Sequence, residues 1–234
     1  MRFEALCAAQ EVSYERLPVG AQRTPDYEIF LGGQRVIVEV KQLDPNKQDK
    51  EINHASDSGT ATPNVISPTQ RLRRKISDGY KQLKSAARKG QPCLLVLYNN
   101  AGLLAFIDSF AITTAMFGTF GVRLGRAKTG EVREVGRGFM ENRRLTRNTC
   151  KVLSAIGVLD DMSGDISCLK LYHNPFALVP IEPAVMGLLA ISQFRHPDPH
   201  NGMYVCWEPS PVEAGSASIA KPKTASPGFT LRSR

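Results

Sequence analysis

Apolar and polar positions alternate, cluster and lapse along this chain in a way that outlines its elements. Residues 2–12 predict a short helix, with Phe3, Leu6 and Cys7 sharing one side at helical spacing. Ser13–Leu17 reads as a short strand. Tyr27–Leu31 and Gln34–Lys41 are β-prone runs on either side of Gly32-Gly33, a two-residue hairpin signal. Residues 43–67 are polar, broken by Pro45 and Pro63, and predict a long loop. Gln70–Lys89 then predicts an amphipathic helix whose buried stripe holds Leu72, Ile76, Tyr80 or Gly79, Leu83 and Ala87. Gly90 ends it, and the unbroken apolar run 93–98 reads as a strand buried on both faces. Further on, 108–117 predicts a helix, 131–139 a strand or half a hairpin, 145–158 a helix and 167–173 a strand. No internal repeat is present.

The hairpin carries the chemistry. If Leu31 pairs with Gln34 across the glycines, opposed residue numbers sum to about 65, which sets Glu28 against Ile37 and Asp26 against Glu39. Tyr27, Ile29, Leu31, Val36, Val38 and Val40 then share one apolar face, expected to pack on a helix, the 70–89 helix being the candidate. Asp26, Glu28, Glu39 and Lys41 share the other face. Opposed side chains in an antiparallel pair stand roughly 5 Å apart, where like charges destabilise. Two carboxylates so close call for a divalent cation between them or one raised pKa. Hard oxygen ligands with room for water suit Mg2+ or Mn2+. Lys41 could hold a water or balance charge on an attacked phosphate. Metal, cation and aimed nucleophile make a set for phosphodiester hydrolysis.

Composition, charge and motif content sharpen this picture. In 234 residues, 30 Lys+Arg against 22 Asp+Glu give a net charge of +8, which favours polyanionic partners and nucleic acid first. The five cysteines are scattered without a CxxC pair, so reduced thiols in a cytoplasmic protein are expected instead of a zinc ribbon or disulfide scaffold. The N-terminus lacks the apolar core of a signal peptide, and the run from Cys93 to Ile107 is too short and too interrupted for a membrane span. Walker, GxGxxG and GxSxG motifs are absent, and nucleotide hydrolysis and hydride transfer drop out.

The stretch Pro25-Asp26 followed by Glu39-Val40-Lys41 resembles the PD-(D/E)XK nuclease superfamily, with its restriction endonuclease-like fold. The order helix, strand, hairpin, long helix, buried strand over residues 2–99 is similar to that family's αβββαβ core. The resemblance implies that Asp26 and Glu39 bind metal, that the Val40 carbonyl completes the shell, and that Lys41 positions the attacking water. It also offers Glu4 as a first-helix ligand and Tyr80 or Gln82 as later-helix members, and leaves open which of them joins the site.

Two basic groups could extend a nucleic-acid channel: Arg71, Arg73, Arg74, Lys75, Lys81, Lys84, Arg88 and Lys89 along the helix, and Arg133, Arg137, Arg143, Arg144, Arg147 and Lys151 beyond it. Solvated charged faces would look the same. His196, His200 and Cys206 superficially resemble a zinc site, but prolines make the segment a turn; His173 reads as part of a structural corner. The expectation is an α/β fold, a central mixed sheet flanked by helices. It forms a single domain over 1–207, with an elaboration from residue 100 and a Pro/Ser/Ala-rich basic tail at 208–234. The expected activity is Mg2+-dependent (or Mn2+-dependent) nuclease action, on DNA ahead of RNA. The alternative is a catalytically silent nucleic-acid-binding or assembly protein, and a protein adaptor is a third class.

Overall fold

A computed structural model describes residues 2–18, 24–58, 69–101, 107–160, 168–189, 192–196 and 208–209. The chain runs α1 (Arg2–Ala9), β1 (Ser13–Arg16), β2 (Tyr27–Leu31), β3 (Gln34–Leu43), α2 (Lys47–Asp57), α3 (Thr69–Ala87), β4 (Cys93–Asn99) and α4 (Ser109–Phe117). It continues with β5 (Thr119–Arg126), β6 (Val132–Glu141), β7 (Ala155–Asp160), β8 (Cys168–His173), α5 (Pro183–Met186), β9 (Ser192–Arg195) and β10 (Glu208–Pro209). Eight strands form one mixed sheet in the order β1-β2-β3-β4-β7-β8-β9-β10, while β5 and β6 form a separate two-stranded ribbon. The α/β architecture with a central mixed sheet flanked by helices is as expected.

The double glycine closes the β2–β3 hairpin in the anticipated register, with Leu31 opposite Gln34 and Glu28 opposite Ile37. Gly32 and Gly33 have φ of 52° and 79°, the left-handed values such a turn demands. β3 then pairs in parallel with β4, and β4 in parallel with β7, so the motif strand lies inside the sheet.

Both faces of the sheet are buried, and the helices divide them differently from expectation. The Tyr27, Ile29, Val36 and Val38 face packs on Phe3, Leu6 and Cys7 of α1 and on Met186 of α5. The 70–89 helix, here α3, covers the opposite face, its Leu72, Ile76 and Leu83 meeting Ile37, Leu95 and Leu97. Apolar rows exist on both faces of β4, so periodicity on the hairpin alone could not assign the helix. The consequence is functional: α3 lies on the face that carries Glu39 and Lys41.

Three other elements depart from the sequence reading. Within the polar stretch 43–67, residues Lys47–Asp57 are helical. A reciprocal cap starts that helix, Asn46 N–H donating to Asp49 Oδ2 at 2.9 Å and Asp49 N–H to Asn46 Oδ1 at 2.8 Å. The expected helix at 145–158 is a turn followed by strand β7. Cys150 takes φ 51°, which interrupts any helix there. Ile156 and Val158 face α3 and α4 while Ala155 and Leu159 face α1, so an apolar run buried on both sides mimicked a helical stripe. Glu208 and Pro209, placed at the start of the tail, pair with Arg195 and Phe194 of β9. The remainder of that tail, 210–234, lies outside the described residues, as does 59–68 of the polar stretch.

Candidate metal centre

β2 begins at Tyr27, and the residue that leads into it builds the site. The ladder with β3 stops at Tyr27–Val38, so Asp26 is not a strand partner of Glu39 as the extrapolated register had it. Its backbone N–H donates to the Val38 carbonyl at 3.1 Å. Its side chain reaches further along β3, where Oδ2 accepts from the Val40 N–H at 2.8 Å. Alternate residues of β3 address alternate neighbours, so the Val40 carbonyl points to the same side as its N–H, beyond the last rung of that ladder. Asp26 and the Val40 carbonyl are thus brought to one strand end.

Glu39 sits one residue away on the α3 face, with a side chain 0% exposed. Lys41 Nζ lies 2.5 Å from its Oε1 as an ion pair, and 2.5 Å from Gln82 Oε1 of α3. Glu39 Oε2 has no hydrogen-bond partner among the described residues. Burial pushes the Glu39 carboxyl up to about 7; the Lys41 ammonium opposes that rise and the neighbouring Asp26 charge adds to it. Gln82 also donates from Nε2 to the Thr24 carbonyl at 3.4 Å, tying α3 to the segment that leads into Asp26.

The structure therefore gathers Asp26, Glu39, Val40, Lys41 and Gln82, and sends two other candidates elsewhere. Glu4 lies on the opposite, α1 side, where its Oε1 accepts from Arg16 Nε at 2.5 Å and from the Tyr27 hydroxyl at 3.2 Å. Those donors hold its carboxyl down at about 2. Tyr80 lines a cavity beside Lys84, Arg88 and Lys151. Glu28, which shares the acidic face, is ion-paired to Arg35 across the hairpin.

The donor set fits a hard divalent cation in kind. Among the described residues, no strand ladder or side-chain donor claims Asp26 Oδ1, Glu39 Oε2 or the Val40 carbonyl. A buried carboxylate oxygen without a donor is costly, and a cation would relieve it. The set contains only two carboxylates; among the described residues no group of three or more His, Cys, Asp or Glu side chains gathers as a metal site.

Several outlying candidates have structural occupations. Arg71 bonds Asp49 Oδ2 at 2.7 Å and the Asp44 carbonyl, pinning α2 to α3. Arg73 donates to the Thr114 carbonyl of α4 at 3.1 Å, and Arg137 grips Glu134 with both ends. His173 bonds Gln193 at 2.9 Å and burial holds its pKa down, while Asn174 caps the Leu153 carbonyl at 2.6 Å, as a structural corner requires. His196 is buried against the rings of Phe117 and Phe139, and residues 198, 200 and 206 of that supposed zinc segment lie outside the described residues. No helix among the described residues is long and apolar enough to cross a membrane. No family model, curated protein or solved structure matches this chain.

Proposed function

We propose that this protein is a Mg2+-dependent nuclease that hydrolyses phosphodiester bonds, in DNA ahead of RNA. The observation that carries the reading is the convergence of Asp26, Glu39 and the Val40 carbonyl at one strand end, with an ammonium held beside them by Glu39 and Gln82. Asp26 and Glu39 would hold the metal with the Val40 carbonyl, and a bound divalent ion supplies a hydroxide nucleophile at neutral pH together with Lewis acidity toward the phosphate. Lys41 has three N–H donors: one bonds Gln82 Oε1, the ammonium is ion-paired to Glu39, and a third N–H remains. The third is available to a phosphate oxygen or to the attacking water, where it offsets charge gathering on phosphorus. Gln82 fixes where that ammonium stands, and α3 fixes Gln82.

The net charge of +8 supports a polyanionic substrate. The test is plasmid nicking: cleavage is expected with Mg2+, none with EDTA, and none from Lys41→Ala protein of unchanged Tm. Cutting by that variant at the wild-type rate would end the assignment.

A silent nucleic-acid-binding module is the second reading, favoured by the Glu39–Lys41 ion pair, which already satisfies both charges, and by the count of two carboxylates. It requires that Mg2+ leave the Tm unchanged. The nuclease reading requires a Mg2+-dependent rise that Asp26→Asn abolishes.

A further inference from the structure

On the other flank of α3 a cavity of about 240 Å³ opens between the helix and the turn at 148–152. At 100° per residue, Gln82 projects from one side of the buried stripe through Gly79 and Leu83, and Tyr80 and Lys84 from the other. The cavity and the carboxylate pair are therefore separate places. Its rim is cationic: Lys84 comes from α3, Arg88 from the residue just past its end and Lys151 from the facing turn, with the Asn148 amide beside them. None of the three cations has an ion-pair partner among the described residues, and no acidic side chain lines the cavity. Burial holds the Cys150 thiol in the wall protonated at neutral pH, so it adds no negative charge.

Like charges at i and i+4 repel, and a third facing them repels both. The helix C-terminus can account for Lys84 and Arg88 through its dipole, but not for Lys151 and Asn148, which arrive from another segment. That segment is braced. Thr149 Oγ1 donates to the Arg144 carbonyl at 2.7 Å, the Asn148 N–H donates to Thr146 Oγ1 at 3.1 Å, and the Leu178 N–H donates to the Lys151 carbonyl at 2.8 Å. The cations thus face a preformed space, which lowers the entropic cost of filling it.

The remaining wall is apolar: Tyr80, Val152 and Leu178, the last 60% exposed at the mouth. Cations at one side and an aromatic and aliphatic surface at the other match a ligand with a phosphate and a flat ring. We propose that this cavity binds a nucleoside phosphate, the phosphate on Lys84, Arg88 and Lys151 and the base against Tyr80 and Leu178. The ligand is a free mononucleotide or the phosphorylated end of a strand. The site stands on its own residues and does not depend on the carboxylate pair.

Calorimetry on the full chain at low salt, in EDTA, tests it with adenosine 5′-monophosphate, inorganic phosphate and a 5′-phosphorylated oligonucleotide. The mononucleotide is expected to bind about tenfold or more tighter than inorganic phosphate. Lys151→Ala and Lys84→Ala should each weaken it by about tenfold. Tyr80→Leu should bring the mononucleotide down to the affinity of phosphate while leaving phosphate itself unchanged. An oligonucleotide tighter than the mononucleotide identifies a strand end as the ligand; the reverse identifies a free nucleotide. Absent mononucleotide binding, equal affinities for mononucleotide and phosphate, or wild-type affinity in Lys151→Ala at unchanged Tm would overturn the proposal. Lys41→Ala should bind the mononucleotide as wild type does, and a loss there would move the ligand to the carboxylates and also overturn it. Loss of nicking in Lys41→Ala with mononucleotide binding retained separates the two sites.

Discussion

Glu39 has its carboxyl pushed up to about 7 by burial, against 4.5 in the unfolded chain, and stability must respond to pH accordingly. Below pH 4.5 the carboxyl is protonated in both states and costs nothing. Between 4.5 and 7 the folded state holds a proton that the unfolded state has released, so stability falls as pH rises, by up to about 3 kcal/mol. In metal-free buffer the Tm should drop across that window and level off above it. Glu39→Gln should remove the slope; an unchanged slope in that variant would assign it to another group. Gln82 makes a separate prediction, because it contacts the Lys41 ammonium and not the acids. Gln82→Leu should lower Mg2+-dependent cleavage about tenfold or more while Mg2+ still raises the Tm. Residue types and spacing are enough to nominate Asp26, Glu39 and Lys41, and the resemblance to the PD-(D/E)XK pattern adds the Val40 carbonyl. Whether Glu4, Tyr80 or Gln82 joined them was not legible, because helix positions 80 and 82 leave α3 on different flanks, and only its docking decides which flank meets β3.

The helices show how local chemistry and packing divide the work. Asn46 and Asp49 form a reciprocal cap, a local signal that was present in the sequence within a stretch of loop-like composition. Asn46→Ala should destabilise by about 1 kcal/mol, a fall of about 2–4 °C in Tm. At Gly79 the contact is tertiary: an added Cβ would stand 2.5 Å from Leu95 Cδ1, so α3 owes its close approach to β4 to the missing side chain. Leu95 is fully buried and has little room to give. Gly79→Ala should therefore destabilise by about 1–3 kcal/mol despite alanine's better helix propensity, as denaturant titration would show. No sequence pattern announces that clash. β7 defeats the helical expectation at 145–158 for a related reason, since a strand buried on both faces has no polar side to set its period.

For the whole molecule, the sheet order puts β3 between β2 and β4 and thereby fixes one open strand end beside Asp26. The excess positive charge of +8 is not spread freely, because Arg71, Arg73 and Arg137 are committed to partners inside the protein. On the proposed function, nucleic-acid affinity should therefore come from the remaining cations and fall linearly on a plot of log K against log salt. Lys84→Ala should reduce the slope by about 1, whereas Arg71→Ala should leave the slope unchanged and lower the Tm. Fluorescence anisotropy on duplex DNA at several salt concentrations reads the first, and calorimetric melting the second.

The sequence by itself determined the hairpin, its register from Leu31–Gln34 to Glu28–Ile37, the amphipathic α3 and the segregation of acids from the apolar face. Each follows from a two-residue or 3.6-residue period and from glycine's access to positive φ, which act within a few neighbours. Only the tertiary structure decided that Asp26 leaves the ladder to cap Val40, that α3 covers the carboxylate face, and that Lys84 and Lys151 meet across one cavity. These depend on which buried surfaces pack together, and both faces of this sheet offered apolar rows of comparable strength.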